Sequence, residues 1–574
     1  MSSQTHTYCL FCSLCCPIRI ESRLGERFWL DYETQGPKAS YGLCGRGSSM
    51  VDLIGHAKRL CGGLEGKSDR SIPISLSEAA QAFERLIDQA VEQGRVALLA
   101  DGNLPCEDLV AIHRWAESKD DRVSMAIYLP PTDFDLLEGL SAVEAPTLAL
   151  EELGSYDGVI VIGNVFHTHP VLGRSLLDKK YENPRALFAV MDTLRSVTTR
   201  FSMISVEIAP ETHQAVLEML LAALEVSTTP DESPELARMA KAAGVSCGTM
   251  TRLVALLRAA NKVAVIVSPE LTKNSDWRSV AMLAAGLAKA KNGGVLPLLS
   301  YGNAVGAYRI LRNLALSRFE DLLIAAKSGP WAAWVQVACD PRATYPGEML
   351  ECLFRPSTRR VAFSSLKTRE VEEADLAISV PMPVEYSGTI VPDGKNEKKL
   401  TPMGRAPGWT QSAGTFFQLL IGQEGGAVDE SVWKKVPVAV RKSPGPSRKT
   451  TEAARGQARL QAVTTPIHFD DGILTRATGW TAYWQAEPVV SISSALAEQL
   501  GVRSGGKVVL KRDGKTLEVT CRVESSLDRE QATIPLHFPE VRRFLPWSLD
   551  ESGARLWCPA PYVGVEPQSD GGKA

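Results

Sequence analysis

Four of the chain's twelve cysteines fall within eight residues, at Cys9, Cys12, Cys15 and Cys16. The pattern Cys9-x2-Cys12-x3-Cys16 is followed, after a gap of 27 residues, by Cys44. Three thiolates from adjoining turns and one from a distant loop can surround a compact [4Fe–4S] cluster. Zinc is the competing occupant. Structural zinc sites more often pair two short Cys/His hooks, and Cys44 has no close Cys or His companion. Unliganded core cysteines are the third reading. Cys15 is the odd thiol, because the spacing and the following Pro17 favour Cys16. No secretory leader is legible before Cys9, so a reducing, cytoplasmic setting is expected.

A second group of residues could hold a nucleotide. GVIVIGN (158–164) reads as a buried strand ending in Gly-Asn, and ALFAVMD (186–192) as the next strand. Gly163 would let the backbone approach a pyrophosphate beside Asn164, and Asp192 could accept from ribose hydroxyls. No GxGxxG is present, and alone the motif reads equally as a plain α/β turn.

These groups must be positioned by larger elements. With 574 residues the chain is long enough for three to five domains. Residues 75–92 read as an amphipathic helix with Ser77 as its N-cap. Apolar runs at 96–100, 158–164 and 186–192 alternate with helical patterns. The alternation starts again at 262–270 and continues through 294–303, 334–341, 359–365 and 374–381. This predicts two consecutive α/β halves with parallel sheets. Residues 424–465 are expected to be a linker: from Lys434 to Arg459 there are eight Lys/Arg and one acid, with prolines between. Residues 466–565, with runs such as KVVLKRD and KTLEVTCRVE, predict a small β-barrel. The balance of 63 basic against 66 acidic residues excludes a bulk electrostatic nucleic-acid binder. No apolar run reaches the roughly 18 residues of a membrane span.

The run YCLFCSLCCPIRIE followed by LCGRG resembles the N-terminal iron–sulfur segment of the molybdopterin oxidoreductase superfamily. That resemblance extends over nearly the full chain. It implies a [4Fe–4S] cluster on Cys9, Cys12, Cys16 and Cys44 (domain 1–65). It also implies two Rossmann-like α/β domains over 66–423 and a C-terminal dinucleotide-binding barrel of six-stranded type. The cofactor it implies is molybdopterin guanine dinucleotide with Mo or W. Arg46 stands where the family often has a lysine between cluster and pterin. His169, in His167-x-His169-Pro170, and the block YDGVIVIGN resemble the B subunit of formylmethanofuran dehydrogenase. SYGNAVGA (300–307) resembles an Asn-x-x-Gly loop and adds Gly302 and Asn303 as cofactor-binding candidates. The stretch from Ala374 to Leu400 does the same for Gly388 and Thr389. The barrel resembles the D subunit, so the chain looks like B and D joined by the basic linker.

One part of the pattern is missing. The resemblance implies a metal ligand a short way beyond the first strand, yet RVSMAIYLPPTDFDLLEGL (122–140) contains no Cys or His. Cys106 is the candidate thiolate, with Asp133 or Asp135 as oxygen alternatives. The expected function is an oxidoreductase subunit acting on a small C1 substrate together with further iron–sulfur subunits. The alternative is a non-catalytic electron-transfer or scaffold subunit. In that reading DDGILTRATGWTAYWQAEP (470–488) resembles the large iron–sulfur subunit of respiratory complex I.

Overall fold

The computed structural model describes residues 3–23, 27–32, 42–269, 276–404, 406–422, 428–437, 457–463, 474, 477–478, 485–528, 530–550 and 555–568. Most of the linker reading, and most of the complex I-like segment, lie outside these residues. Among the described residues no helix is long and apolar enough to cross a membrane.

The N-terminus forms an antiparallel three-stranded sheet, Ser3–Tyr8, Pro17–Arg23 and Arg27–Tyr32. Tyr8 pairs with Pro17, so the cysteine segment 9–16 is the loop of a hairpin. The Cys9 amide donates to the Cys16 carbonyl at 2.9 Å and closes it.

Two parallel sheets follow, and they are interleaved. An eight-stranded sheet centres on Val96–Asp101, Ala333–Val337, Arg359–Ser364 and Leu376–Ser379. An antiparallel hairpin, Gly63–Glu65 with Ile72–Ile74, extends one edge. A five-stranded, all-parallel sheet runs Ile204–Glu207, Leu187–Asp192, Gly158–Gly163, Val263–Ser268, Gly294–Pro297. The expected consecutive halves are therefore corrected. Val263–Ser268 lies beside Gly158–Gly163, and Ala333–Val337 lies beside Val96–Asp101. Apolar periodicity identifies a buried strand but not its neighbour.

Both sheets are buried on two faces, which is why their strands read as continuous apolar runs. In the larger core Phe83 meets Trp115, Phe363, Phe416 and Phe417 with ring centroids 5.2 to 5.8 Å apart. Phe83 projects from the helix Leu76–Gln93. Its N-cap is Ser75, not Ser77, because Ser75 and Glu78 form a reciprocal capping box.

The C-terminal domain is a closed six-stranded barrel. Its first strand is Gln457–Val463, inside the stretch that composition assigned to the linker. A short buried segment next to a basic run is easily masked by the charges around it. This strand docks the barrel on the smaller sheet. Gln461, fully buried, accepts from Thr193 Oγ1 at 2.8 Å, and Arg459 pairs with Glu211 at 3.2 Å.

One buried ion pair ties the N-terminal segment to the larger sheet. Arg59 makes two bonds to Glu385, at 2.7 and 3.1 Å, and both side chains are almost fully enclosed. Glu385 also accepts from the Met382 amide at 2.8 Å. Removing one partner would strand the other charge in low dielectric. Glu385→Ala is expected to lower stability by about 3–5 kcal/mol, read as a drop in urea midpoint.

Candidate iron–sulfur and dinucleotide site

Cys9, Cys12, Cys16 and Cys44 line one small cavity. Hairpin closure brings Cys9 opposite Cys16, while Cys44 arrives as the residue before the short helix Gly45–Ser48. Burial pushes the Cys9 and Cys16 thiols well above their ordinary range, and the neighbouring cysteines push them further. Four crowded thiolates repel one another, and bound iron offsets that repulsion. Three thiols from one hairpin loop and a fourth from a separate loop are the donor set that a [4Fe–4S] cluster takes. The arrangement fits a cluster.

Cys15 is turned out of this group. It sits at φ 43°, and its Sγ faces the Cys12 and Gly302 carbonyls at 3.6 and 3.5 Å. Burial lifts this thiol to about 12. A Cβ on Gly302 would stand 3.1 Å from that sulfur and 3.0 Å from Leu10 Cα. Gly302 thus permits the close approach of loop to loop.

Arg46 and His169 line the same cavity as the cysteines. Arg46 donates from Nη2 to the Thr168 carbonyl. His169 Nε2 lies 3.0 Å from the Leu299 carbonyl, so it carries the proton and leaves Nδ1 as an acceptor. Nδ1 is buried, with no hydrogen-bond partner among the described residues. Burial, then the Arg46 charge, pulls this imidazole down to about 3, so it is neutral. A buried, vacant acceptor beside the cluster cavity suits a pterin N–H donor.

Thr168 also lines a cleft of about 200 Å³ between the five-stranded sheet and the barrel. Asn164, His167, Arg195 and Ser196 face it from the carboxyl ends of strands Gly158–Gly163 and Leu187–Asp192. Arg522 and Glu524 face it from the barrel. The carboxyl ends of parallel strands are where open α/β sheets bind ligands. Gly163 has φ 100°, and a Cβ there would lie 2.2 Å from the Ser268 carbonyl, so the turn requires glycine. Asp192 is buried beside the cleft rather than lining it. Its Oδ1 accepts from the Leu194 amide at 3.4 Å, and among the described residues its Oδ2 has no hydrogen-bond partner. Burial lifts this carboxyl to about 7.

A second cleft, of about 110 Å³, opens at the carboxyl ends of the eight-stranded sheet. Asp101, Cys339, Ser364 and Thr368 line it, with Leu10 and Phe11 from the cysteine loop. These residues were not singled out from sequence. Their signal was available, since each closely follows or ends an apolar run.

The remaining sequence candidates serve to lock segments together. Asn303 is fully buried and directly precedes the helix Ala304–Asn313, with no side-chain bond to that helix's first turn. Its Nδ2 donates to the Leu104 carbonyl at 2.6 Å, and its Oδ1 accepts from the Val391 amide at 2.8 Å. Thr389 donates to Glu107 from both its amide and its hydroxyl, and Gly388 leaves room for that carboxylate. Cys106 is fully buried and its Sγ lies 3.5 Å from Asn303 Oδ1. It lines neither cleft, and burial raises its thiol far above the ordinary range. Asp133 is equally buried and accepts from the Ser300 amide at 2.8 Å. Asp135 is buried on the helix Pro131–Ala142. In the same stretch Tyr128 and Leu129 are buried, with the Tyr128 and Tyr345 hydroxyls 3.4 Å apart.

Comparison with known proteins agrees with this layout. Residues 2–56 match the family model of the Molybdopterin oxidoreductase Fe4S4 domain. A 233-residue stretch is 24% identical to a nitrate reductase of Klebsiella oxytoca, covering 39% of this chain and 26% of that protein. The matched region is thus about a quarter of that relative's length. Acetylene hydratase from Pelobacter acetylenicus has the same fold, with a TM-score of 0.70 and 11% identity. That match covers 98% of this chain and 99% of the other. The N-terminal segment is an Fe4S4 domain. Together these findings give the N-terminal segment a family match and the whole chain the fold of acetylene hydratase.

Two outcomes check the site. Cys44→Ala is expected to abolish the reduced-cluster EPR signal and lower the iron content, whereas Cys15→Ala retains both. Asp192 has its carboxyl raised from 3.8 to about 7 in the folded chain, so the cofactor-free fold loses stability as pH rises through that window. Asp192→Asn is therefore expected to raise the urea midpoint at about pH 8 and leave it nearly unchanged at about pH 3.

Proposed function

We propose that this chain is the cluster-bearing subunit of a Mo/W oxidoreductase of the formylmethanofuran dehydrogenase B type, fused to a D-like barrel. Its substrate is a small molecule at the formyl, formate or CO2 level. The observation that carries this reading is the contact of Arg46 with Thr168. It joins the four-cysteine cavity to the nucleotide cleft through one buried cation. When bound, the metal–pterin group supplies two-electron chemistry on the substrate. The chain's own residues bind and orient. Arg46 holds positive charge between cluster and cleft, where it stabilises added electrons. His169 Nδ1 accepts a hydrogen bond from the cofactor, and Asp192, buried beside the cleft, positions the cleft-lining Leu194 by accepting from its amide. The barrel closes the cleft against water. Further iron–sulfur subunits receive the electrons, and the setting is cytoplasmic.

A second reading is favoured by the burial of Cys106, Asp133 and Asp135, the three candidate metal ligands. In it the active metal is absent, and the chain carries electrons within a larger complex while its dinucleotide domains supply shape. Anaerobic purification from the native host, with iron, zinc, molybdenum and tungsten measured per chain, separates the two. About four irons with stoichiometric Mo or W supports the first reading. The same iron with neither metal overturns it in favour of the second.

A further inference from the structure

A cavity of about 480 Å³ lies between the helices Pro131–Ala142 and Ala304–Asn313 and the strand end at Pro297. It shares no lining residue with either cleft or with the cysteine cavity. Its size falls within the range of small-molecule sites, about 300–1,000 Å³. Leu137, Leu140, Ala145 and Val305 make its wall largely apolar.

One charged side chain in that wall is out of keeping with the rest. Arg309 is only 8% exposed. Its Nη1 donates to the Trp433 carbonyl at 3.2 Å and its Nη2 to the Gly394 carbonyl at 2.9 Å. Both partners are neutral. Among the described residues it makes no ion pair, and Asp393 and Glu397 act on it only at a distance. A guanidinium has five N–H donors. Burying its charge without a counter-ion is costly. A carboxylate in the cavity would supply that counter-ion. One cation, with the exposed Glu144 also on the lining, suits a single negative charge better than a phosphate or a dicarboxylate.

We infer that this cavity binds a small monocarboxylate with an apolar body, its carboxylate on Arg309 and its body against Leu137, Leu140 and Val305. The site stands independently of what occupies the cofactor clefts.

Calorimetric titration of the full chain tests this, with benzoate and hexanoate as probes and benzyl alcohol and hexan-1-ol as uncharged counterparts. One acid molecule is expected to bind per chain, with the matching alcohol about tenfold weaker or more. Ala145→Phe fills the cavity without removing Arg309 and is expected to abolish binding while the circular dichroism spectrum stays unchanged. Arg309→Lys keeps the charge but loses the planar fork, and is expected to weaken binding about tenfold. No heat from either acid overturns the inference. So does equal affinity for acid and alcohol, or undiminished binding by the folded Ala145→Phe protein.

Discussion

The cysteine loop cannot hold its own shape, and the rest of the site depends on how it is held. Eight residues with four thiols have few side chains to pack on one another. Their rigidity comes from backbone contacts with loops far away in sequence. Ser13 and Leu299 exchange two bonds at 2.9 Å, amide to carbonyl and amide to hydroxyl. The Gly302 amide reaches the Leu10 carbonyl at 3.1 Å, and Asn103 Nδ2 reaches the same carbonyl at 3.1 Å. The cluster site is thus assembled by loops that leave the strand ends of both α/β sheets. Any change that shifts one sheet against the other must move the cysteines too.

The same constraint explains why the clefts sit where they do. Each opens at the carboxyl ends of parallel strands, and each approaches the cysteine loop from its own side. Leu10 and Phe11 reach the larger sheet, while Arg46 and His169 reach the smaller one. Asn303 is central to this geometry without lining a cleft. Its side chain binds the Leu104 carbonyl and the Val391 amide, so it fixes the start of its helix against both neighbouring segments.

Much of this was legible in the sequence, and the failures have physical causes. The cysteine spacing identified the loop because metal chemistry constrains residue type and interval together. The strands were legible because a sheet buried on two faces needs uninterrupted apolar runs. Their partnership was not, since Val96 pairs with Ala333 through hydrogen bonds that any residue can make. Asn303, Gly388 and Thr389 were found by motif, but their geometry shows anchoring rather than cleft-lining. Asp101, Ser364 and Thr368 were overlooked because polar residues after a strand look like any loop. Arg309 carried no signal, because a helical arginine reads as solvated until burial is known.

The interleaving of the sheets also sets an order for biosynthesis. The five-stranded sheet is complete once residue 297 has left the ribosome. The larger sheet must wait for strands between Ala333 and Ser379 to reach partners made far earlier. Until residues 299 and 302 have been made, the N-terminal thiols lack their backing from Leu299 and Gly302. The loop that carries the thiols is therefore fixed by a residue 286 positions further along the chain, while the larger sheet still awaits its later strands.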